Sequence, residues 1–197
     1  KYARYDKKKK RRESWGETVS RVEAMHLKKF AHLDDEHKNE IKWAFELVRE
    51  KIVVPSMRSM QFGGKAIEAH HEKLYNCAVT HITCERSFAE FMYLLLNACG
   101  VGFSVQNQFI GRLPNLVSAK DKTGTVITYV VEDTIEGWSD SIEALISCFF
   151  KNTAFTGRKI IFDYSKIRPE GSELKTSGGK APGYKGLKNA HLKIKKL

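Results

Sequence analysis

The stretch KLYNCAVTHI, residues 73–82, and the stretch CGVGFSV, residues 99–105, decide the fold. The first is a run of β-branched and apolar residues with one cysteine in its middle, and it predicts a buried strand over 74–82. The second reads as a strand that carries glycines, which lets it lie close against a neighbour or a ligand. Between them, Ser87 is a suitable N-cap for a helix running to about Ala98, apolar on nearly every side and therefore expected to be buried. Further on, TVITYVV (125–131) and KIIFDY (159–164) are strands, separated by a helix that Asp133 or Thr134 opens and that runs through Phe150. Strands alternating with helices in this way predict α/β architecture with parallel strands and helical crossovers.

On the N-terminal side the period changes. Trp15, Val19, Val22 and Met25 recur at helical spacing over 14–29. Asp34 or Asp35 caps a second helix whose stripe is Ile41, Ala44, Phe45, Val48 and Ile52, and Pro55 closes it. A long loop, RPEGSELKTSGGKAPG (168–183), precedes a last helix from about 186, with Leu187, Ala190 and Ile194 on one side. That helix has no cap before the sequence stops, which reads as a fragment.

The net charge of +11 is concentrated at the ends. Residues 1–12 hold eight Lys/Arg and one Asp, and residues 175–197 hold seven Lys and no acid, so the body between them is slightly acidic. KKKKRR (7–12) reads as a solvated flexible tail, and no specific nucleic-acid partner is expected. No apolar run has the length of a membrane span and no signal core follows the basic start. The four cysteines, Cys77, Cys84, Cys99 and Cys148, form no CxxC pair and read as reduced thiols in a cytoplasm.

His70, His71, Cys77, His81 and Cys84 crowd together, but their spacing fits no standard zinc pattern, and no metal is assigned. GVGFS follows a helix and enters a strand, the reverse of a dinucleotide fingerprint. In KTSGGKAPG (175–183) the glycines free the backbone, and exposed N–H groups beside Lys175 and Lys180 suit a polyanion such as a nucleoside triphosphate, although a flexible surface loop has the same composition. Cys77 alone reads either as a small hydrophobe in a strand or as a reactive thiol.

Taken in order, SWGETVSRV (14–22), YNCAV (75–79), GVGFSV (100–105), VEDTIEGW (131–138) and DYSKIRPEGSELKTSGGKAPG (163–183) resemble the N-terminal part of the catalytic chain of ribonucleotide reductases. The similarity is greatest to the monomeric, adenosylcobalamin-dependent (class II) triphosphate reductases, because about 60 residues (104–167) intervene where dimeric relatives have almost none. The resemblance implies an incomplete barrel: residues 1–52 would be a basic tail and N-terminal helical region, and 53–197 the first part of a ten-stranded α/β barrel with an insertion at about 104–167. It implies that Cys77 is one of two cysteines oxidised to a disulfide on each turnover. Ser56, Asn76 and Gly100 would contact the ribonucleotide substrate. Lys175, Thr176, Ser177, Gly178, Gly179 and Lys180 would lie in the loop that couples a bound dNTP effector to substrate choice. It further implies adenosylcobalamin bound mainly outside this chain, although a separate metal-containing subunit is the other radical source in the wider family.

The radical-bearing cysteine and the second redox cysteine have no matching position here. The expectation is therefore a chain inactive alone, needing the remaining catalytic chain and a thioredoxin-like reductant. A non-catalytic nucleotide-binding regulatory module is the alternative; it would keep the Gly/Lys loop and not need Cys77.

Overall fold

The computed structural model describes residues 3–118, 120, 123–174 and 179–197. They fall into two units, one ending at Asn76 and the other comprising Cys77–Leu174 and Gly179–Leu197.

The first unit opens on a hairpin. β1 (Tyr5–Asp6) and β2 (Arg11–Arg12) pair antiparallel, with Tyr5 opposite Arg12 and Asp6 opposite Arg11. The basic run is thus not a flexible tail. The Asp6 carboxylate accepts from the amides of Lys8 (2.8 Å) and Lys9 (3.1 Å), a side chain-to-backbone turn that lysines alone do not suggest. α1 (Trp15–Lys29) begins with a capping box: the Glu17 amide donates to Ser14 Oγ, and Glu17 accepts from the Ser14 amide (2.7 Å). Glu17 also takes Arg11 and Lys9, which hold its carboxyl well below the usual carboxylate range, Arg11 being the larger cause.

α2 (Asp35–Arg49) is capped by Asp34, whose side chain accepts from the His37 amide (3.0 Å). Val19 and Val22 of α1 pack on Phe45 and Val48 of α2 and on Met60. Ile52 lies beyond the end of α2 and is exposed, so the stripe stops at Val48. Two short helices follow, α3 (Met57–Phe62) and α4 (Lys65–Ala69), then a 3-10 turn at His71–Leu74. The turn after α3 is pinned by two guanidinium groups. Arg4 donates to the carbonyls of Phe62 (2.9 Å) and Gly63 (2.8 Å), and Arg21 to those of Gly63 (2.8 Å) and Met60 (3.1 Å). Arg21 is itself paired with the carboxylate of Glu13. A Cβ at Gly63 would sit 2.6 Å from Ser59 O and 2.8 Å from a Val22 methyl, so only glycine fits there.

The second unit is built from two parallel strand-helix-strand turns. β3 (Cys77–His81), α5 (Arg86–Leu96) and β4 (Gly100–Ser104) form the first, followed by the single turn α6 (Asn107–Ile110). β5 (Val126–Val130), α7 (Ile135–Ser147) and β6 (Lys159–Asp163) form the second, and α8 (Lys185–Ile194) follows. Thr134 caps α7 by accepting from the Gly137 amide (2.9 Å), and α7 ends at Ser147, three residues earlier than expected.

Ser87 is not an N-cap. α5 starts one residue before it, and its hydroxyl accepts from the amides of Thr83 (3.2 Å) and Cys84 (3.4 Å), closing the turn out of β3. α5 is also only partly buried; Leu95 is exposed. The core of this unit lies around α7: Val131, Ile142, Ile167 and Leu187 form one cluster, and Ala144, Leu145, Cys148 and Ile160 another, with Phe88 and Met92 of α5 packed on the first. Mixed α/β architecture is therefore present as two parallel pairs. Among the described residues no helix is long and apolar enough to cross a membrane.

Candidate functional site

Parallel pairing puts Cys77 opposite Gly100, Val79 opposite Gly102, and His81 opposite Ser104. Side chains alternate across a strand, so Cys77, Val79 and His81 share one face. Cys77 is exposed and Val79 is 72% exposed. The expected buried strand is therefore buried on one side only: α5 covers one face, and among the described residues no second layer covers the other. The Cys77 sulfur is accessible, beside the backbone of a residue that has no side chain to shield it. Gly102 adds room, since a Cβ there would meet only a Val79 methyl at 3.8 Å. The remaining thiols differ. Cys99 and Cys148 are buried, and burial pushes the Cys148 thiol up, so neither is placed to react.

At the C-terminal end of β3, where the chain turns into α5, is an open cavity of about 350 Å³. His81, Thr83, Cys84, Ser87, Glu90 and Arg112 line it, with Phe109. The ring of His81 lies 4.1 Å from that of Phe109, tilted by 44°. Sequence reasoning missed Arg112 and Glu90: neither belongs to a motif, and only the turn through α6 brings Arg112 back to β3. Three or more His, Cys, Asp or Glu side chains do not converge as metal donors anywhere among the described residues.

The long loop is more ordered at its base than a loop reading implies. The Gly171 amide donates to Ala181 O (2.9 Å), the Ala181 amide to Ser172 O (2.7 Å) and the Leu174 amide to Gly179 O (3.1 Å). Gly179 has φ +95°, a conformation that favours glycine, and the backbones of Glu173 and Lys180 form an isolated antiparallel β-bridge in this neck. Lys175, Thr176, Ser177 and Gly178 lie outside the described residues.

Two more candidates belong to the first unit. Ser56 is the N-cap residue of α3, but its hydroxyl makes no capping bond. The Asn76 side-chain oxygen accepts from Arg58 Nε (2.7 Å), and Arg58 lies over the ring of Phe62. Asn76 immediately precedes Cys77 in the chain.

Residues 109–197 match the family model for the insertion domain of B12-dependent ribonucleotide reductase. An adenosylcobalamin-dependent ribonucleoside-triphosphate reductase of Euglena gracilis is 35% identical over 127 residues, covering 63% of this chain and 17% of that protein. The enzyme of the same description from Lactobacillus helveticus is 27% identical over 243 aligned positions, covering 92% of this chain and 33% of its own length. The chain thus spans a third or less of these two relatives. A crystal structure of a B12-dependent (class II) ribonucleotide reductase superposes with a TM-score of 0.82 at 23% identity, over 98% of this chain and 35% of that one, and shares its fold. Over nearly its whole length, therefore, this chain is similar to the N-terminal part of the B12-dependent, class II ribonucleotide reductases.

Proposed function

We propose that this chain is part of a class II ribonucleotide reductase, reducing ribonucleoside triphosphates to 2′-deoxyribonucleotides. Residues 1–52 act as the N-terminal helical region and 53–197 as the first part of the ten-stranded barrel. The insertion at about 104–167 overlaps the stretch that matches the insertion-domain model. The observation that carries the reading is the exposed Cys77, held on a strand in register with Gly100.

The chemistry explains why a thiol belongs there. A ribose 2′-hydroxyl leaves readily only after a hydrogen is taken from C3′, and it then needs a proton and reducing equivalents. Cys77 donates the proton from its thiol and shares the reducing electrons with a second cysteine outside these residues, the two ending as a disulfide. A strand fixes the sulfur more tightly than a loop would. The disulfide is then reduced by exchange with an external, thioredoxin-like dithiol. Gly100, lacking a side chain, lets the sugar approach the backbone; Ser56 and Asn76 contact the substrate.

Adenosylcobalamin, when bound, is the source of the radical, and it is held mainly by residues outside this chain. The Gly/Lys loop, 175–183, couples a bound dNTP to substrate choice. The cavity at His81 and Arg112 has the volume of a small-ligand site and offers two groups for phosphate. It also favours the second reading, a nucleotide-binding regulatory module without catalysis.

The test is deoxynucleotide formation from ribonucleoside triphosphates, with adenosylcobalamin and a dithiol, by this chain mixed with a polypeptide carrying the rest of the barrel. Turnover by the mixture and by neither part alone is expected. Turnover by the 197 residues alone overturns the division of labour. dNTP binding with no turnover in any mixture favours the regulatory module.

A further inference from the structure

The neck of the long loop is narrow. Gly183 has φ +66°, and a Cβ built on it would lie 3.1 Å from the Glu170 nitrogen, so the two arms almost touch. Each arm is tied to α7. On the entry side, Arg168 Nε donates to the carboxylate of Asp133, which directly precedes the α7 cap Thr134. On the exit side, Tyr184 stacks on Tyr164 with ring centroids 5.5 Å apart and planes at 23°. The Tyr164 hydroxyl bonds His191 Nδ1 (2.8 Å), His191 Nε2 bonds Ser141 Oγ (2.9 Å), and Ser141 donates to Trp138 O (2.6 Å) within α7.

Only one assignment lets a neutral ring use these contacts together. Ser141 gives its proton to Trp138, so it accepts from His191 Nε2–H, and Nδ1 is left to accept from Tyr164. His191 is 1% exposed and its ring lies flat on Phe162, centroids 3.9 Å apart. A buried chain with every member satisfied resists displacement, because breaking one link strands a polar group away from water.

We infer that α7 is the mount of this loop's neck: the Asp133–Arg168 pair and the Ser141–His191–Tyr164 chain hold its two arms, making Arg168, His191 and Tyr164 positioning residues for 171–174 and 179–183. The inference rests on the reading of that loop as the one that couples effector to substrate. Its physical reach is through packing. α7 lies against α5, with Arg86 of α5 donating to Asp140 (2.9 Å) and Glu143 (2.6 Å) of α7, and α5 joins the two strands that carry Cys77 and Gly100. One helix therefore braces both the loop's ends and the Cys77 strand pair.

Tyr164→Phe keeps the ring stack and removes only the hydroxyl; Arg168→Met removes the other tie. Amide hydrogen exchange, read by NMR on the full chain, is expected to quicken about tenfold at Gly171, Leu174 and Ala181 in either variant, while amides in the middle of α7 stay within about twofold. Unchanged neck amides in both variants overturn the mount. Equal acceleration of the neck and α7 overturns it too, since that marks a general loss of stability. In the reconstituted enzyme, Tyr164→Phe is expected to alter the ratio in which competing ribonucleotides are reduced at a fixed dNTP, with the effector-free rate unchanged. A normal ratio in the variant, where the wild type responds to dNTP, overturns the positioning role. A wild type with no dNTP-dependent ratio sinks the reading of the loop, while the exchange result still decides the mount.

Discussion

The two strand-helix-strand turns of the second unit share a plan and differ in what they leave open. Both pair five-residue parallel strands, and both pack a helix on one face. Around α7 that covered face is closed by large side chains: Ile160 and Leu145 are buried, and Tyr129 and Phe162 meet edge-on at 5.8 Å. In β4 the corresponding positions alternate with glycines, and Phe103 stays largely exposed although its edge meets Phe91. The uncovered face of the first turn carries a thiol and glycines, where the second has Val126, Val130 and Ile161. The same local topology thus serves two ends: a rigid mount where bulky residues fill space, and an accessible platform where small residues clear it.

The comparison breaks most visibly at the thiol. Cys77→Ser in the reconstituted enzyme is expected to lower steady-state turnover with a dithiol at least about a thousandfold, the scale on which a group acting on the reacting atoms is felt. Far-ultraviolet circular dichroism should not change, because the side chain is exposed. Repeated turnover at near-normal rate would remove Cys77 from the chemistry and make the two turns functionally alike.

On the mount side, Leu145→Ala is expected to cost about 2–5 kcal/mol in urea unfolding, the range for emptying a packed site. Acid probes the same region. Burial, aided by Lys195, pushes the His191 pKa from 6.5 down to about 4. The unfolded chain therefore binds the proton more readily, and stability is full above about pH 6.5 and falls as the pH drops towards 4. The loss is on the order of 3 kcal/mol, and a flat profile in His191→Gln would assign it. The smallest contrast is between two glycines. Gly137→Ala forces a Cβ to within 2.7 Å of Glu132, and should cost about 1–3 kcal/mol. Gly102→Ala meets only a methyl at ordinary contact, and should stay within about 0.5 kcal/mol.

Much of this plan was legible because it is local. Asp34 and Thr134, each one of two cap candidates in the sequence, mark helix starts through bonds three residues long, and each makes that bond. YNCAV and GVGFSV predict the strands that carry Cys77 and Gly100, and the two do pair. What was not legible depends on distant partners. β3 is exposed on one side among the described residues, and a strand's apolar pattern does not say whether a second layer covers it. The order of the basic run is not legible in its lysines, because it comes from Asp6 and from Glu17 in the next helix. The Ser141–His191–Tyr164 chain joins residues 50 and 27 positions apart, and no spacing rule reaches so far. Arg112 came to the cavity in the same way.

One consequence concerns how the molecule is handled at the bench. Among the described residues β3 and β4 pair as strands only with each other, and so do β5 and β6, leaving the outer margins of each ribbon without a neighbouring strand. Such margins template extended peptides and one another. The polypeptide is therefore expected to self-associate as its concentration rises, and dilute handling is the natural way to keep it dispersed.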